Sequence, residues 1–218
     1  MYLILLLILI SIFFPILFFP LLVFLGLMIL ILPFKFTINS IFNIFTVPKQ
    51  IYKIAINPKL RKNHSMEHAT INVLEKEFGY RNLAGYAEED GFYIMGIQNT
   101  AFVEEAAVKG LKLMKQGKNE LAIHKRCGTS MTVANFLSAI IFFILLIYSG
   151  YFSIINMIIA IILDNLMGPT LGQIVQKKFT TSPEVNEMEI ISAQYANNNF
   201  MNQPSKIFIK TKKIPYVK

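Results

Sequence analysis

The first 34 residues, MYLILLLILISIFFPILFFPLLVFLGLMILILPF, contain no charged side chain. That run constrains the chain more than any other feature. Lipid tails offer a backbone no hydrogen-bond partner, so a segment of this composition is expected to cross a membrane as a helix. About 20 residues suffice to span the hydrocarbon, and this stretch is longer. Pro15 and Pro20 each remove a backbone donor and bend a helix. The run therefore reads as one bent, tilted span or as a pair of short re-entrant arms, and one span is the simpler expectation. It exceeds a signal-peptide core and lacks a basic start and a small-residue cleavage site, which argues for a retained anchor.

Two further apolar stretches follow much later, at 131–147 and 152–167, with Ser149, Gly150 and Tyr151 as the turn between them. Over 218 residues the hydrophobic share is 54% and mean hydropathy is +0.51, too apolar for an ordinary soluble domain. The expected fold is a membrane α-helical protein with about three transmembrane helices and a small α+β polar module inserted between the first and the second. Its segments are an anchor at 1–34, an interfacial amphipathic connector at 35–57, the module at 58–130, a helical hairpin at 131–167 and a polar, basic C-terminal tail at 168–218, in part mobile around YANNNF.

Net charge is +8. The basic residues flank apolar segments, so the lipid membrane and its topology account for them and nucleic acid is not expected as a partner. Fourteen Lys and Arg lie in 35–130, seven in the tail and none in the turn between the last two spans. The positive-inside rule then gives a multi-pass cell-membrane protein with module and tail cytoplasmic. The lone Cys127 makes no internal disulfide and suits a reducing compartment.

Within the module, the spacing of Met66, Ile71, Val73 and Leu74 predicts a helix over 64–78 stopped by Gly79. Acidic residues ending in Asp90-Gly91 predict a hairpin turn. Asn99 or Thr100 could cap a second helix ending near Lys115 and Gly117, and ELAIH reads as a short strand leading to HKRCGT.

NHSMEHAT, residues 63–70, then holds two of the three histidines. Four residues apart on a helix, His64 and His68 project from one face at adjacent turns, with Glu67 close by. The pattern His-x-x-Glu-His resembles the inverted zinc-protease signature, in which two histidines bind zinc and the glutamate activates water for attack on a carbonyl. A third ligand is needed. Glu104 and Glu105 on the second helix, His124 and Cys127 are the candidates; a cysteine thiolate would donate more charge and favour a structural or redox-sensitive site. The bland alternative is local capping by the histidines and a favourable helix-dipole position for Glu67. Asp164 reads as interfacial at the end of the third span, with ion or proton handling as the alternative.

NHSMEHATINVLE, GFYIMG, AAVKGLKLMKQGKNELAIHKRCGT, PTLGQ and the Thr180-Thr181 pair together resemble a bacterial membrane-protein family known only as domain of unknown function 6391. The resemblance runs over roughly 60–182. It implies that a HxxEHAT helix (His64, Glu67, His68), an LAxHxxCGT segment (His124, Cys127) and a final segment (Pro169, Gln173 or Gln176, Thr180, Thr181) form one constellation, and it assigns no reaction.

The functional expectation is a membrane-anchored, metal-binding protein acting as a zinc-dependent hydrolase of peptide-like or membrane-protein substrates at the cytoplasmic face. His64 and His68 would be ligands, Glu67 the general base, and His124, Cys127 or Glu104 would complete the site. A non-enzymatic scaffold with a closed, four-ligand structural metal site is the alternative. A transporter built on Asp164 is a third, and three spans would serve it only in a homo-oligomer.

Overall fold

A computed structural model describes residues 15–196 and 206–214, together with Leu5 and Ile8. The rest of the opening run and most of the YANNNF stretch lie outside the described residues. The molecule is mostly helical, with one small antiparallel sheet.

Helix α1, Pro15–Ala55, is continuous, with Pro20, Pro33 and Pro48 inside it. The described part of the anchor and the expected interfacial connector are thus one helix. Internal prolines are tolerated in membrane-type helices; beside one of them, Thr37 Oγ1 donates to the Pro33 carbonyl at 2.7 Å, a back-bond to the residue four before it of the kind that accompanies helix bends. Helices α4, Gly128–Ser149, and α5, Ile154–Val175, complete a set of three, among the described residues, that are long and apolar enough to cross a membrane. Large side chains such as Phe24, Leu30, Ile147 and Leu166 stand exposed on them, as lipid contact requires.

The end of α5 departs from the sequence expectation. Gly168 and Pro169 do not stop it, and a π-type turn, Gln176–Thr180, prolongs it. Small residues explain the continuation. A Cβ on Gly168 would lie 2.8 Å from the Ala134 Cβ, and one on Gly172 would lie 2.6 Å from the Ser130 Oγ. The GPTLG stretch is therefore a close helix crossing of the kind glycines permit four residues apart, and Asp164 falls mid-helix rather than at a span terminus.

The module begins with α2, Pro58–Glu77. Asn57 caps it, its side chain accepting from the Leu60 N–H at 3.2 Å, and Pro58 occupies the first turn, where its missing donor costs nothing. This start precedes the expected one by six residues, the Asn-Pro signal having gone unread. Strands β1, Ala84–Glu88, and β2, Gly91–Met95, form the expected hairpin. Asn99 caps α3, Thr100–Lys115. Strands β3, Met188–Tyr195, and β4, Lys206–Lys213, come from the C-terminal segment and complete a sheet in the order β1-β2-β4-β3. The residues read as a tail thus close the module's sheet.

Helices α2 and α3 cover the sheet through a core that includes Met66, Leu74, Val103, Phe92, Ile94, Ile207 and Ile209. They approach closely where Gly110 faces Ala69, a Cβ there coming within 3.2 Å of the Ala69 Cβ. The ELAIH strand does not form; Asn119–Ala122 is a single 3-10 turn. Its carbonyls meet α2 instead of a strand partner: the Asn72 amide donates to the carbonyls of Leu121 and Ile123 at 3.1 Å each, and His68 Nδ1 lies 2.7 Å from that of Ala122.

Candidate metal centre

On α2, the four-residue spacing stacks His64 and His68 with ring centroids 4.3 Å apart. Each ring is oriented by a main-chain carbonyl. His64 Nδ1 lies 2.9 Å from the Thr180 oxygen, supplied by the turn after α5, and His68 Nδ1 lies 2.7 Å from the Ala122 oxygen. A carbonyl only accepts, so each Nδ1 carries the proton and each Nε2 presents a lone pair. This is the arrangement by which an outer shell fixes the tautomer of metal-binding histidines.

The two lone pairs have different surroundings. His64 Nε2 is 3.3 Å from Cys127 Sγ, while His68 Nε2 is buried without any partner. Cys127 caps α4 by accepting from the Thr129 N–H at 3.3 Å, and this fixes its sulfur at the helix start. One donor atom from each of His64, His68 and Cys127 falls within 4.8 Å of the others, and all three residues are buried. Bonds of about 2.0–2.3 Å to a tetrahedral ion put its ligand atoms roughly 3.3–3.8 Å apart. The His64–Cys127 separation is already of that size, and the orphaned His68 nitrogen has no other role in the fold. The residues fit a divalent ion.

Glu67 lies beside this triad, its Oε2 3.8 Å from His64 Nε2 and without a hydrogen-bond partner. Burial, opposed by His64 and reinforced by Cys127, raises its carboxyl to about 8. Burial likewise pushes the Cys127 thiol up and holds His68 well below the usual imidazole range, the latter helped by neighbouring His64. All three groups are therefore driven toward their neutral forms when no cation is near. A cavity of about 170 Å³ reaches two of the three, His64 and Cys127, and is walled by these together with Ile54, Leu60, Glu67, Gly85, Tyr86, Ala87, Gly128 and Thr129. Gly85 is needed there: a Cβ would lie 2.6 Å from Glu67 Oε1 and 2.7 Å from the Tyr93 carbonyl oxygen.

The other expected ligands lie elsewhere. His124 turns its Nε2 to Glu75 Oε2 at 3.1 Å, and its ring centroid is 6.1 Å from that of His68. Glu104 and Glu105 are exposed on α3, because Val103, Ala106, Ala107 and Gly110 form that helix's inward face. The motif around His124 has a different use. Gln176, fully buried, accepts from the His124 N–H at 3.1 Å, donates to the His124 carbonyl at 3.0 Å and also donates to Ser130 Oγ. It thereby fixes the segment carrying Cys127. Arg61 Nη2 donates to the Thr181 carbonyl at 2.7 Å, and the Ser182 N–H donates to Ser65 Oγ at 2.8 Å, which holds the Thr180 oxygen over His64. Sequence reasoning missed Gly85 and the two orienting carbonyls; a glycine inside a strand was the available signal for the first, and nothing in a sequence marks a carbonyl.

The model of a family described as a domain of unknown function, DUF6391, matches residues 59–193. An uncharacterised protein of Picosynechococcus sp. is 32% identical over 90 residues, an alignment covering 37% of this chain and 43% of that relative. The chain thus spans less than half the length of that curated relative. No solved structure matches. The matched region runs from the start of α2, through the histidine pair, Cys127 and Gln176, to β3, and the chain belongs to the DUF6391 family.

Proposed function

We propose that the protein is a membrane-anchored metallohydrolase, with zinc held by His64, His68 and Cys127, acting on peptide-like carbonyl substrates at the cytoplasmic membrane face. One observation carries the reading: two imidazoles locked by carbonyls into the tautomer that aims Nε2 inward, one of those nitrogens orphaned, beside a buried thiol. Three protein donors leave a fourth position, which is what a catalytic rather than a structural site needs. The pairing of His124 with Glu75 supports an open site over the closed, four-ligand scaffold.

A zinc ion in this position supplies Lewis acidity, polarising a substrate carbonyl. The remaining chemistry falls to the chain. Glu67 borders the same cavity with an oxygen that no other group uses, so it can accept a proton from an attacking water and return it to the departing amine. The Nδ1 bonds of His64 and His68 keep both rings from turning as charge moves. Leu60 and Ile54 wall the cavity where α1 meets the module, which brings substrate in along the bilayer. The basic residues flanking the apolar helices support a cytoplasmic module.

The test is a comparison of zinc-loaded wild type and Glu67→Gln in lipid nanodiscs, each incubated with a peptide library and read by mass spectrometry. The proposal expects cleavage products from the wild type, none from Glu67→Gln, and equal zinc content in both. Undiminished cleavage by Glu67→Gln would overturn it.

A further inference from the structure

We infer that the outer edge of β1 seats the substrate as an added strand, so the site takes an extended polypeptide segment rather than a compact small molecule. The inference rests on the metallohydrolase reading and names its substrate class.

The sheet's hydrogen-bond pattern decides which groups are free. The Thr211 N–H donates to the Asp90 carbonyl at 2.9 Å, so on the chain leading through β2 the even-numbered residues bond toward β4. In an antiparallel ladder the bonding side alternates along a strand. Residues 91, 93 and 95 therefore bond toward β1, to their partners Glu88, Tyr86 and Ala84. That leaves Gly85 and Ala87, opposite Ile94 and Phe92, with both N–H and C=O directed away from the sheet. Gly85 and Ala87, with Tyr86 between them, also line the cavity with His64 and Glu67. Among the described residues, a row of two donors and two acceptors without strand partners thus runs past the candidate metal position.

The two edges of this sheet differ. β3, the opposite edge, carries a bulge between Ile190 and Ser192, a device that discourages further pairing. β1 has no bulge, proline or lysine. An extended peptide matches such an edge through main-chain bonds whatever its side chains, and Ile54 and Leu60 offer apolar contact on the far wall. A small molecule would leave most of the edge groups without partners.

The experiment uses the full chain, zinc-loaded, and the affinities of acetohydroxamate and of tripeptide hydroxamates that share its metal-chelating group. We expect the tripeptides to bind at least tenfold more tightly, each main-chain bond contributing about two- to tenfold. Ala87→Pro, which deletes one outward N–H while its paired side keeps every bond, should remove about that factor for tripeptides and leave acetohydroxamate unaffected. N-methylating the peptide's own amides should do the same on wild-type protein, whether or not the proline variant folds. Tripeptides no tighter than acetohydroxamate, or N-methylated ones equally tight, would overturn the inference and leave the metal reading standing. If acetohydroxamate itself fails to bind, both fall.

Discussion

Replacing Gln176 with leucine should loosen the candidate metal centre from a distance. The side chain is fully buried and bridges the main chain of His124, accepting from its N–H at 3.1 Å and donating to its carbonyl at 3.0 Å. Leucine fills similar space and makes neither bond. The N–H is left without a partner, at about 1–3 kcal/mol. The carbonyl keeps a weak bond from the Cys127 N–H at 3.4 Å, so its loss is about 0.5–1.5 kcal/mol. With the donation to Ser130 Oγ also lost, at about 0.5–1.5 kcal/mol, the total is about 2–6 kcal/mol, roughly 5–20 °C in melting temperature for a chain of this size. Gln173→Leu is the control, since Gln173 lines the surface cavity that His124 also borders while the bonds to the His124 main chain come from Gln176. Heating both variants in detergent and measuring the folded fraction by size-exclusion chromatography reads the difference. Equal melting of the two would refute the assigned role of Gln176. Retention of metal by Gln176→Leu at wild-type affinity would refute the claim that this amide positions Cys127.

Two other outcomes follow from the site. Gly85→Ala should cost about 1–3 kcal/mol by overpacking, because its Cβ would meet the Tyr93 carbonyl oxygen at 2.7 Å and Glu67 Oε1 at 2.6 Å, whereas a Cβ at Gly26 meets nothing within 4 Å; thermal melts of the two alanine variants compare them. In metal-free protein the Glu67 carboxyl sits at about 8, above its ordinary 4.5, so the stability it contributes is present in full below that ordinary value and is lost as pH rises through 8. Between about pH 7 and 8, above most of the range where His68 matters and below that of the Cys127 thiol, wild type should lose stability with a slope that falls from near the full ~1.4 kcal/mol per pH unit at pH 7 to about half of it at pH 8, and Glu67→Gln should flatten it. Denaturant titrations of chelator-treated protein at several pH values would show parallel curves if Glu67 were not buried as described.

What could be read from the sequence was local. Helix periodicity and caps located α2, the hairpin and α3, and the four-residue histidine spacing correctly put two imidazoles on one face. Asn57-Pro58 was a readable start signal that extended α2. The third donor was not readable. Glu104, His124 and Cys127 were equally plausible as residue types, and what separates them is tertiary: the inward face of α3 is apolar, Glu75 engages His124, and the cap of α4 fixes the Cys127 sulfur. Strands β3 and β4 lie in a segment of mixed polarity; β4 pairs with β2, a partner more than a hundred residues away, and β3 pairs with β4. The continuation of α5 past Gly168 depends on Ser130 and Ala134 across the helix crossing, contacts that no window along one segment contains.

Elemental analysis of purified full-length protein tests the central claim most directly, run on wild type beside single alanine variants at His64, His68, Cys127, His124 and Glu104. The account predicts one zinc per chain in wild type, in His124→Ala and in Glu104→Ala, and a sharp loss in the other three. A wild-type protein without stoichiometric metal, or one whose metal depends on Glu104 or His124 and not on Cys127, would contradict it.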